Sequence, residues 1–278
     1  MIPILRKIYD AASAPELADI ALIGLFWLAK VETRELILAQ IRNPTKHLSN
    51  SALTLLADQN LPELNDTLAA SLEGPTPNEW LILRYATGDI VKRVEKYYLQ
   101  HENDSRCASP LVFYFLKYDP AFGERELRRN LSTTGGQPTC YDMELQFRDL
   151  GRYAMSDTLE RLMIEYLSSP IARIERGAAW VLGKYGSAAA QKPLWDALAD
   201  FRTHWKGREE QLTKPPAWEA RGLERALELA LLESQAWEIE EKDLQHLETL
   251  CSSDTCKVEI VRWRAGSLGI RRPQIWYK

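Results

Sequence analysis

Apolar positions along this chain recur at helical rather than strand spacing. No stretch sustains the apolar–polar alternation of a half-buried strand. Most segments read as helices of about 10 to 15 residues, punctuated by Pro, Gly, Asn, Asp or Ser. The pattern predicts helices over Pro15 to Lys30, His47 to Asp58, Leu61 to Leu72, Asn78 to Thr87, Asp89 to His101 and Asp157 to Ser168. Asp89 and Ser156 are placed to act as N-caps, accepting hydrogen bonds from otherwise unpaired first-turn N–H groups. Leu111 to Leu116 is apolar on every side, which predicts an inner helix touching neighbours all round.

The helices come in pairs, and the pairs recur. A small residue marks nearly the same place near the end of each first helix: Ala29, Ala57, Ala86, Ala154 and Gly183, with Lys117 as the exception. The successive intervals are 28, 29, 31, 37 and 29 residues. A small side chain there lets two helices approach closely. The long interval contains Ser132 to Asp142, rich in Gly, Pro and Thr, which reads as a loop.

The clearest unit is Ile174 to Asp200. It resembles a HEAT-like repeat of the armadillo-type α-solenoid superfamily. Ile174, Ala178, Leu182 and Gly183 fall at the apolar and small positions of the family's first helix, and Gly186 fits the turn. Pro193, Leu194, Ala197, Leu198 and Asp200 fit the second helix. The family often has an Arg directly after the position of Ile174; here Glu175 stands there, followed by Arg176.

The resemblance implies an all-α fold, an α-α superhelix of about six stacked helical hairpins, each burying the apolar face of the next. Residues 1–205 are expected to form the repeats. Residues 206–278 are expected to form a C-terminal helical cap with a basic aromatic tail, one continuous solenoid being the alternative division. Lys206 to Pro216 reads as a loop, Ala217 to Ser234 as a helix with Leu223, Leu227 and Leu231 on one stripe, and Glu240 to Cys251 as a further helix.

Composition narrows the class. The chain of 278 residues has 35 Lys+Arg against 39 Asp+Glu, a net charge of −4, and 45% hydrophobic residues. That much apolar material excludes a disordered tail protein. The sequence pI of about 5.7 disfavours a general nucleic-acid binder. The longest apolar run, Ile20 to Ala29, falls well short of the roughly 20 residues that span a bilayer. Asp10, Glu16 and Asp19 precede it, the wrong sign for a signal peptide. A cytoplasmic protein without a membrane span is expected.

Candidate chemistry is sparse. Cys107, Cys140, Cys251 and Cys256 are too few for a disulfide scaffold, although a Cys251–Cys256 bridge is open to an oxidising compartment. His246, Cys251 and Cys256 lie five apart, a spacing that leaves one helix face, and no fourth ligand is evident. No metal and no cofactor is therefore expected. The sequence has no G-x-S-x-G elbow, no P-loop and no dinucleotide fingerprint. The four histidines are scattered, and no carboxylate pair can be argued from spacing.

A solenoid presents a long groove, lined by its second helices, so a protein or peptide partner is expected there. The candidate binding residues are Lys92, Lys96, Arg125, Arg128, Arg129, Trp180, Arg264 and Trp276. The charges of three second helices are mixed in sign. Asp89, Lys92, Arg93, Glu95 and Lys96 lie in one, and Glu124, Arg125, Glu126, Arg128 and Arg129 in the next. Asp157, Glu160, Arg161 and Glu165 lie in the third. That is not the basic stripe nucleic acid rewards.

From Gly207 to Asp254 there are 5 basic and 12 acidic residues, and from Lys257 to Lys278 6 basic and 1 acidic. The basic aromatic tail can grip an acidic partner, or its Arg residues can pair with the acidic cap while Trp263 and Trp276 pack on it. Trp180 falls at a position usually solvent-facing in the family, where it is either a binding hot spot or a cover for the next repeat. Some HEAT-like proteins are bilin lyases or DNA base-excision glycosylases, and others are structural subunits of assemblies. These are the alternatives to a non-enzymatic binding scaffold.

Overall fold

The computed structural model describes residues 1–56, 60–74, 77–101, 109–134, 137–138, 147, 151, 154–214 and 218–250, together with 257, 258, 260, 261, 263 and 264. All four cysteines and Trp276 lie outside them. The chain forms two compact units, Met1–Asp119 and Pro120–Lys278.

The first unit holds helices α1 (Ile2–Ala11), α2 (Pro15–Leu28), α3 (Lys30–Arg42), α4 (Asn50–Leu53), α5 (Asn65–Ser71), α6 (Glu79–Tyr85), α7 (Val91–Gln100) and α8 (Pro110–Tyr118). The even-numbered helices touch in succession, α2 on α4, α4 on α6 and α6 on α8. The odd-numbered α3, α5 and α7 each pack against an even neighbour. At the end of this row Leu111 to Leu116 are all fully buried, as their uniform apolarity predicts. Tyr114 and Phe115 meet edge to face, and Tyr114 Oη donates to the Thr87 carbonyl at 2.6 Å, so the one polar tip in the run is satisfied.

Several expected boundaries move. The helix expected over His47 to Asp58 is helical only at Asn50–Leu53 among the described residues. Ser49 caps its start, accepting from Ala52 N at 3.2 Å, and the Thr54 hydroxyl bonds the Asn50 carbonyl at 2.7 Å and closes the turn. The segment from Leu61 opens with a 3₁₀ turn at Pro62–Leu64, where proline has no N–H to lose. Asp89 is not the N-cap of the following helix. Thr87 caps a 3₁₀ turn, Gly88–Ile90, by accepting from Asp89 N at 3.3 Å. The Asp89 carboxylate instead accepts from the Thr87 hydroxyl at 2.8 Å and from Asn65 Nδ2 at 3.3 Å.

The second unit holds α9 (Pro120–Leu131), α10 (Asp157–Tyr166), α11 (Ala172–Tyr185), α12 (Gln191–Trp205), α13 (Trp218–Glu233) and α14 (Glu241–Leu250). Ser156 caps α10 as expected, accepting from Leu159 N at 3.2 Å. Part of the expected 132–142 loop is a minimal antiparallel ladder, Thr133 opposite Pro138 and Thr134 opposite Gln137. Helix α10 packs on α9 and on α11, and α13 packs over both α11 and α12. Its Leu223, Leu227 and Leu231 are buried along one stripe, as read from the sequence. Gly186 ends α11 with no room for a side chain, since a Cβ there would lie 2.5 Å from the Leu182 carbonyl oxygen.

Helix thus dominates the described residues, with the two-residue ladder as their only strand pairing. No helix among them is long and apolar enough to cross a membrane.

Candidate functional site

Each cationic residue singled out in the sequence, Lys96 apart, is engaged within the protein. On α7, Lys92 Nζ pairs with Glu95 at 2.7 Å and with Asp119 at 3.5 Å, while Lys96 is exposed. On α9, Arg125 and Arg129 both pair with the buried Glu126, at 3.2 and 2.7 Å. Arg128 forks onto Glu165 of α10 through two bonds of 2.5 and 2.6 Å and onto Glu124 at 2.9 Å. Arg161 of α10 returns to Glu124. This lattice of charge joins α9 to α10 and explains why their mixed sequence charges form no stripe. The hydrogen bonds from Arg161 and Arg128 hold the Glu124 carboxyl below its usual range.

Arg264 bonds Glu241 at 2.7 Å and Glu248 at 3.1 Å, and Trp263 Nε1 donates to the Leu232 carbonyl at 2.9 Å. Arg264 thus lies against the acidic α14 and Trp263 against the end of α13. Trp276 lies outside the described residues. Trp180 is partly exposed, edge-on to Tyr185 with ring centroids 5.8 Å apart. It lines a cavity of about 220 Å³ with Arg176, Lys184, Arg225 and Glu233.

The larger cavity was not foreseen. It measures about 670 Å³ and opens between the end of α10, the start of α11, the length of α12 and one face of α13. Two adjacent rows on α12, each at a spacing of four, make one wall: Pro193, Ala197, Phe201 and Trp205, and beside them Asp196, Asp200 and His204. Leu167 and Leu223 close the apolar floor, and Glu175 of α11 faces the acidic row.

Burial, with the nearby Asp200 charge adding to it, pushes the Glu175 carboxyl up to about 7. Three carboxyl groups in different settings therefore share one cavity: Glu175, readily protonated, and the exposed Asp196 and Asp200. The signal for Asp196, Asp200 and His204 was present as a helical stripe in the sequence. Their union with Glu175 was not, because it depends on the hairpin that folds α11 against α12.

Among the described residues no group of three or more His, Cys, Asp or Glu side chains is placed to hold a metal ion. His246 is exposed and tilted against Trp195, with ring centroids 5.1 Å apart. The expected behaviour of Cys251 and Cys256 lies outside the described residues. Compared with protein-family models, curated proteins and solved structures, the chain matches none.

Proposed function

We propose that the protein is a non-enzymatic scaffold that binds a protein or peptide along its second helices, as the resemblance to HEAT-like repeats implies. The observation that carries the reading is the 670 Å³ cavity walled by α12, the second helix of the clearest repeat-like unit. Its apolar floor and charged rim are the composition of a recognition pocket. The successive contacts of α2, α4, α6 and α8 are those a stack of hairpins makes, which favours the solenoid reading of the first unit. The engagement of Arg125, Arg128 and Arg129 with glutamates favours a protein partner over nucleic acid.

A photo-crosslinking amino acid at position 196 tests this. A single partner captured from position 196, and not from position 242, exposed on α14 and outside the cavity lining, supports it. Equal capture from both positions, or a turnover activity with no captured partner, overturns it.

A second reading, a structural subunit of a larger assembly, rests on the face of α2 and the start of α3. Ile20 is 66% exposed, Trp27 53% and Val31 81%, an apolar surface of the kind that marks contacts between proteins. Ile20→Lys with Val31→Lys, followed by sedimentation of the native complex, tests that reading. Release of the chain from the assembly supports it, and unchanged sedimentation counts against it.

A further inference from the structure

We propose that the cavity walled by α12 takes the side chain of a lysine or arginine presented by a bound peptide. The assignment rests on the binding-scaffold reading and names the chemistry of its occupant. The rim carries Glu175, Asp196 and Asp200, and none of the described residues lining the cavity is Lys or Arg. Lys192 pairs with Asp196 at 2.5 Å from the solvent side, with both side chains exposed. Glu175 and Asp200 have no hydrogen-bond or ion-pair partner among the described residues.

Below this rim the floor is apolar, made by Leu167 and Leu223, with Phe201 in the wall beside it. A basic side chain matches both parts, because its aliphatic stem lies on apolar surface while its charged head reaches the carboxylates. The Trp205 ring at the end of the same wall already carries the Arg208 guanidinium 5.4 Å from its centroid, so the incoming charge is held by the carboxylates and Trp205 adds apolar wall. At about 670 Å³ the space exceeds one side chain, so flanking backbone enters with it, which a peptide supplies and a free amine does not.

Glu175 adds a second reason. Burial, with the Asp200 charge adding to it, holds its carboxyl up near 7, and no described lining residue is a Lys or Arg that would offset that charge. A cation brought beside the two carboxylates offsets their mutual repulsion and favours the ionised form of Glu175.

The test is a chemical-shift titration of the isotope-labelled full chain with three acetylated, amidated pentapeptides, each with two lysines, two arginines or two glutamates among alanines. The lysine and arginine peptides are expected to shift Ala197, Phe201 and the Trp205 indole, and the glutamate peptide to leave them in place. Asp200→Asn and the isosteric Glu175→Gln are each expected to weaken basic-peptide binding at least fivefold, with backbone spectra otherwise retained. Asp200→Lys is expected to abolish it.

Unchanged affinity in Asp200→Asn, or shifts confined to the acidic face of α14, would overturn the assignment. Spermidine binding as tightly as the lysine peptide would overturn the peptide as occupant. A partner still captured at position 196 while the basic peptides fail removes only this assignment. Loss of that capture removes the scaffold reading itself.

Discussion

Gly183 of α11 crosses directly over Ala230 of α13. An ideal Cβ on Gly183 would lie 2.4 Å from the Ala230 Cα and 2.6 Å from its Cβ. Both partners are backbone or the first side-chain carbon, so nothing flexible can yield. The small residue expected at this point of the repeat pattern therefore has a specific use, a close approach of α11 to α13. Gly183→Ala must push the helices apart. The gain in helix propensity is about 1 kcal/mol, and overpacking costs about 1–3 kcal/mol. A net loss of stability is expected in urea titration. A stabilised variant would show that the two helices are free to slide.

The inner helix of the first unit makes a simpler test. Phe113 and Phe115 are fully buried among neighbours on every side. Phe113→Ala removes a ring from a space that cannot collapse, and a loss of about 3–5 kcal/mol is expected. Lys117, four residues further on, donates to Asn60 Oδ1 at the solvent side, so Lys117→Ala is expected to cost far less. Parallel thermal melts of the two variants check the ranking.

What the sequence made legible follows from what each feature depends on. Leu111 to Leu116 needed no partner to be read, since uniform apolarity fixes burial whatever lies alongside. Ser156 was legible because a cap acts within its own turn. Thr87 was not, because Thr87 and Asp89 are both capping residues two positions apart, and the 3₁₀ turn between them decides which one acts. The acidic excess of the region after residue 206 misled in one respect. Glu224 and Glu228, counted in that acidic excess, are buried against Arg202. The hint lay in Arg202 falling four residues after Leu198, on the core stripe of its helix. The union of Glu175 with Asp200 carried no such hint.

That buried triad is itself a prediction. Arg202 is 7% exposed, Glu224 3% and Glu228 2%, and Arg202 Nη2 donates to Glu228 at 2.9 Å while Nη1 meets Glu224. It bolts α12 to α13 and thus holds one wall of the larger cavity to another. Arg202→Met takes the guanidinium away from two buried carboxylates and is expected to cost about 3–5 kcal/mol. Replacing all three by apolar residues of similar size is expected to recover most of that loss. Denaturant midpoints of the single and triple variants decide it. A triple variant as unstable as the single one would mean that the triad's geometry, rather than its charge balance, holds the helices.

The raised Glu175 carboxyl gives stability a pH signature of definite sign. Its ordinary value is 4.5, and burial with the Asp200 charge lifts it to about 7 in the folded protein. Between those limits the native chain keeps a proton the unfolded chain has released, so the unfolded state binds fewer protons and stability falls as pH rises. Above about 7 both states are ionised and the full penalty stands. The groups facing Glu175 across the cavity are Asp196, Asp200 and His204 of α12, while α13 contributes only the apolar Ala220 and Leu223 among the described lining. Glu175→Gln removes the ionisable group with little change of shape. The variant is expected to match the parent below pH 4.5 and to melt at a higher temperature at pH 8, with the difference opening between those limits. Asp200→Asn is expected to narrow the same window from its upper end, because one of the two causes of the shift is gone. A parent protein whose melting temperature rises through this range, with Glu175→Gln following it in parallel, would show that the carboxyl is well solvated and that the cavity floor does not exclude water from it.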